Sequence, residues 1–112
     1  MSRTVRVESD SVTSGGFELS YTLKDCENIE QYLLSISAAP TTAGSIVVSV
    51  DAITDGKNHV LYTVDPVAES LVDLRVIDDM RFITGDVFKI VYTNPDDRTV
   101  SGLLYHDPGL NK

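Results

Sequence analysis

The 112-residue chain has one cysteine, no tryptophan and four prolines, and its Lys and Arg total 9 against 17 for Asp and Glu. A lone cysteine closes no intramolecular disulfide, so stability must come from packing or assembly. Asp25 and Glu27 flank Cys26 and disfavour a thiolate there, which points to a small buried hydrophobe and not a nucleophile. The net charge of -8 repels phosphate backbones and anionic lipid surfaces, so neither nucleic acid nor membrane is expected as a partner. With aromatics at 7%, stacking platforms for sugars or single strands are thin. No apolar run approaches the roughly 18 residues of a membrane span, and MSRTVRVESD has no apolar stretch of signal length. A soluble protein made in the cytoplasm is the expectation. At 12.2 kDa one domain over residues 1–112 is expected.

What is present is alternation. In GGFELSYTLKD, Phe17, Leu19, Tyr21 and Leu23 alternate with Glu18, Ser20, Thr22 and Lys24, the signature of a strand with one face on a core. Val5 and Val7 alternate similarly before the turn-rich SDSVTSGG, so residues 1–15 read as an N-terminal arm or edge strand. The segment ENIEQYLLSISAAP fits both periods. A strand is favoured because it carries no helix stop signal, with a short helical turn over residues 27–31 left open. SIVVSVDA, HVLYTVD (alternating on Val60, Tyr62 and Val64) and SLVDLRVID (on Val72, Leu74 and Val76) follow, and Asp55-Gly56 between the first two signals a hairpin. RFITGDVFKIVYTN and TVSGLLYHD complete an all-β chain of about seven or eight short strands, as in an antiparallel β-sandwich, jelly roll or barrel.

Catalytic signatures are sparse. His59 faces opposite to Val60 on a strand, and neither it nor His106 has metal-ligand spacing. His106 beside Asp107 leaves a Ser-His-Asp arrangement open, but there is no G-x-S-x-G elbow and Ser101 lies mid-strand. Gly15-Gly16 stands without a phosphate-loop pattern. Two acidic pairs stand out, Asp78-Asp79 and Asp96-Asp97. Neither fits a calcium loop, and a cation shared between them would need both loops at one end of the sandwich. The cluster Asn94, Pro95, Asp96, Asp97 and Arg98 reads as a structural turn, a hairpin or inter-sheet loop. Its side chains would cap backbone amides through Asx-type bonds.

The runs ISAAPTTAGSIVVSVDA, HVLYTVD and GDVFKIVYTNPDDRTVSGLLYHD together resemble small virion accessory proteins of tailed bacteriophages, over residues 17–106. The resemblance implies a jelly-roll-like module without catalytic residues, metal or cofactor. It would be displayed on the virion, on the capsid or at the neck or tail, as a symmetric oligomer, with the capsid surface the leading expectation. A capsid decoration (cement) protein follows as the expectation, a homotrimer on the major capsid protein. Residues 2–8, with Arg3 and Arg6, are the candidate docking contacts. A neck, tail or fibre-associated adaptor and a carbohydrate-binding jelly roll are the alternatives.

Overall fold

The computed structural model describes residues 6–24 and 28–107, and within them every side chain except those of 6, 77–81 and 107. Cys26 and Arg3 lie outside the described residues. Eight strands form in chain order: β1 (Arg6–Val12), β2 (Phe17–Thr22), β3 (Asn28–Ile36), β4 (Ile46–Asp51), β5 (Asn58–Val64), β6 (Asp73–Arg81), β7 (Val87–Tyr92) and β8 (Val100–Asp107). They make two four-stranded antiparallel sheets, ordered β1-β8-β3-β6 and β2-β7-β4-β5.

The order has a simple origin. Strands β1 to β4 pair in reverse with β8 to β5, so the chain is one long antiparallel ribbon. Wrapping that ribbon adds the β3–β8 and β4–β7 pairings and closes two facing sheets, which is the jelly roll. Every connection except β4–β5 therefore crosses from one sheet to the other. The exception is the Asp55-Gly56 hairpin, where Gly56 takes a positive φ of 69° that a side chain would strain.

The core lies between the sheets, as the alternation predicts. Phe17, Leu19 and Leu23 are buried, joined by Leu34, Ile46, Val48, Ile90, Val100 and Leu104. Burying each such side chain contributes about 1.5–3 kcal/mol, which replaces the cross-links the chain lacks. Tyr32 of β3 meets Phe88 of β7 across the sandwich at 5.4 Å, tilted by 54°. Phe17 of β2 lies over Gly102 of β8, where a Cβ would come within 2.5 Å of the ring. Any side chain at 102 would occupy the space the ring fills.

Four expectations are corrected. The serine-rich stretch after Val7 is strand and not turn: Ser9, Asp10 and Ser11 pair with Leu103, Gly102 and Ser101, because a ready sheet edge overrides weak local propensity. No helical turn spans residues 28–31. The strand begins at Asn28, and the irregularity there is a β-bulge between Ile29 and Gln31. Asp78-Asp79 is not a loop, since β6 runs unbroken through it. Finally, Val60 and Tyr62 do not face the core: β5 is an edge strand exposed along nearly its whole length, with Val60 at 60% and Tyr62 at 41%.

Candidate functional site

The connections gather at two ends of the sandwich. At one end the β1–β2, β3–β4 and β7–β8 loops meet, and the residues 94–98 tie them together. This turn joins strands of different sheets, so it is an inter-sheet loop and not a hairpin. Asn94 and Asp97 both take positive φ, 53° and 51°, a conformation that Asn and Asp tolerate better than most residues.

Each polar side chain of the turn has a backbone partner. Asn94 is 2% exposed. Its Nδ2 donates to the carbonyls of Gly15 (2.8 Å) and Arg98 (3.0 Å), and its Oδ1 accepts from the Arg98 amide at 2.9 Å. Asp97 Oδ1 accepts from the Gly15 amide at 3.0 Å. Asp96 Oδ2 accepts from the amides of Thr41 (2.6 Å) and Thr42 (2.9 Å), while its Oδ1 takes the Thr42 hydroxyl. These donors, the Thr42 hydroxyl foremost, hold the Asp96 carboxyl down at about 2. Arg98 Nη2 donates to the Ala39 carbonyl at 3.1 Å. Pro95 packs where a Cβ on Gly44 would fall 3.2 Å from its ring.

This arrangement shows what the acidic side chains bond to. Both oxygens of Asp96 accept from N–H and O–H donors, and one oxygen of Asp97 accepts from Gly15, so these carboxylates serve the backbone of the neighbouring loops. Asp78 and Asp79 do not join them. β6 runs there beside the start of β3, with Ile77 opposite Gln31 and Met80 opposite Ile29, whereas the turn lies past Val100, opposite Ile36 at the other end. The clasp is an architectural lock.

The histidines separate in the same way. His106 is 1% exposed and stacks on Tyr21 from the facing sheet, centroids 4.2 Å apart, with Nε2 3.4 Å from Glu8 Oε2. Ser101 is exposed on the opposite face of β8 and faces Ser11 across 3.3 Å. Five residue steps along the strand, about 17 Å, separate it from His106. His59 pairs with Asp55 at 2.8 Å across the exposed hairpin. The Lys57 amide, ahead of His59, draws the Asp55 carboxyl below its usual range.

At the far end a buried carboxylate does what the sequence reading did not assign. Asp86, 7% exposed, accepts from the Ile53 amide at 2.9 Å and the Ile83 amide at 3.3 Å, fastening the β4–β5 hairpin to the β6–β7 loop. Gly85 before it has φ 99° and lies against Ile53. The Gly-Asp pair opening a strand was the available signal. Of the docking candidates, Arg6 opens β1 opposite His106, so from that point the N-terminal segment is paired strand and not free arm. The Arg6 side chain and Arg3 lie outside the described residues.

No protein-family model and no curated protein sequence matches the chain. Solved structures do. PirA is similar at a TM-score of 0.52 and 12% identity, covering 88% of this chain and 92% of its own. A chain of the acidic stable capsid of Helicobacter pylori bacteriophage KHP30 follows at 0.51 and 12%, covering 90% and 94%. The Drosophila NLP core, whose structure bears on pentamer formation and histone binding, stands at 0.51 and 15%, covering 91% and 97%. At these identities the likeness is one of fold: the chain shares its two-sheet all-β architecture with a phage capsid chain among others.

Proposed function

We propose that the protein is a non-enzymatic structural component of a phage virion, a decoration or cement protein that binds the outer capsid surface as a homotrimer on the major capsid protein. The observation that carries this reading is the use to which the polar side chains are put. Asn94, Asp96, Asp97 and Arg98 place hydrogen bonds on neighbouring loops, and Ser101 and His106 lie on opposite faces of β8, which supports a rigid surface over a reaction centre at the loop end. A rigid module reused at many lattice points turns modest contacts into firm attachment. Closed symmetry lets one patch serve every copy. The fold shared with the KHP30 capsid chain agrees with this reading.

Decoration-free capsids of the encoding phage, mixed with purified protein and sedimented, test it. Uptake should saturate at a copy number set by the icosahedral lattice, and loaded capsids should resist heat better than bare ones. Absence of uptake would overturn the reading. A few copies per particle, seen by cryo-EM at one vertex, would assign the protein to the neck or tail instead.

A further inference from the structure

Strand β5 stands apart from the other three sheet edges. Among the described residues it bonds only to β4, with no strand on its outer edge, and apart from half-covered Val64 every residue in it is exposed. Val60 is 60% exposed and Leu61 and Tyr62 are each 41%, with Ile53 at 60% in the turn before them. Its sequence NHVLYTV holds no Asp, Glu, Lys or Arg. By contrast β1 carries Glu8 and Asp10, β2 carries Glu18, and β6 carries Asp73, Arg75, Asp78, Asp79 and Arg81. Charge is the usual guard on a sheet edge, and it is missing where the largest apolar side chains are exposed.

We propose that β5 is the surface through which a second copy of this chain docks. Two copies, each at -8, repel each other over most of their surface. The edge strand with no carboxylate of its own is where they approach at least electrostatic cost and gain apolar burial. A β-bulge shapes the contact. Val48 pairs with Tyr62 and Ser49 with Val60, so Leu61 is an extra residue that interrupts the regular ladder. A broken edge resists open-ended sheet growth, so the contact is made by the side chains of Val60, Leu61 and Tyr62 and closes into a finite oligomer. This inference deepens the oligomer part of the virion reading, but it is tested in free solution and stands without a capsid.

Sedimentation of the wild-type protein from dilute to concentrated should show the mass rise at least twofold above the 12.2 kDa protomer. The double variant Val60→Glu, Leu61→Glu places charge on the edge and should stay at one protomer throughout, with its far-UV spectrum unchanged and its melting temperature that of the dilute wild type. Val7→Glu, at a 48% exposed position on the β1 edge, should associate like the wild type. Hydrogen exchange on the wild type gives a readout without mutation: amides of Asn58–Val64 should slow with concentration. A wild type that remains a single protomer, a double variant that associates normally, or slowing confined to β1 or β6 would overturn the proposal. Association in solution without capsid uptake would sink the virion reading and leave this one intact.

Discussion

Asp96 and Thr42, 54 residues apart in sequence, are joined twice over: the Thr42 amide and hydroxyl both donate to the Asp96 carboxylate. The Thr41 amide adds a third donor. The bond bridges the β3–β4 and β7–β8 loops, so it holds one end of the sandwich closed.

The carboxyl sits at about 2 against an ordinary 3.8, so its charged form is favoured by folding. The stabilisation is fully present above pH 3.8 and is lost as pH falls toward 2. Thermal melts across that window should show the wild type losing stability steeply. Asp96→Asn should start several degrees lower near neutral pH and lose less on acidification, because the titrating group is gone.

Gly102 and Phe17 form a second cross-sheet relationship with a measurable cost. Gly102→Ala places a methyl 2.5 Å from the Phe17 ring, which is buried and cannot swing away. The expected loss is about 1–3 kcal/mol by urea denaturation. Phe17→Leu in the same chain should recover part of it, so the double-mutant cycle should show coupling of opposite sign to the single losses.

His106 tests architecture against chemistry. Removing the ring with His106→Ala should cost about 2–4 kcal/mol, since a fully buried side chain stacked on Tyr21 is lost. His106→Phe keeps the stack and should cost less. At temperatures where the Ala variant remains folded, capsid uptake should match that of the wild type.

Much of the sandwich was legible in alternation. Phe17, Leu19 and Leu23 face the core as the pattern requires, and Asp55-Gly56 marks the hairpin. Alternation, however, says which residues share a face and not what lies opposite it. Val60 and Tyr62 have the pattern of a buried strand, yet β5 sits at an edge beyond the cover of the facing sheet. The turn of Asn94, Asp96 and Asp97 was legible as a backbone-capping cluster. Its partners, Gly15, Thr41 and Thr42, were not, because they are set by strand order, which no local pattern carries.

The pairing of β1 with β8 has a consequence for how the chain acquires its structure. Arg6 lies opposite His106 and Val12 opposite Val100, so β1 must wait for β8, far along the chain, before it can pair. During synthesis β1 cannot join its sheet until the six strands between it and β8 have emerged, and the sequence separation makes that closure entropically slow. Ser9, Asp10 and Ser11, poor strand formers by themselves, keep the waiting segment polar and unattractive to other exposed edges until β8 arrives.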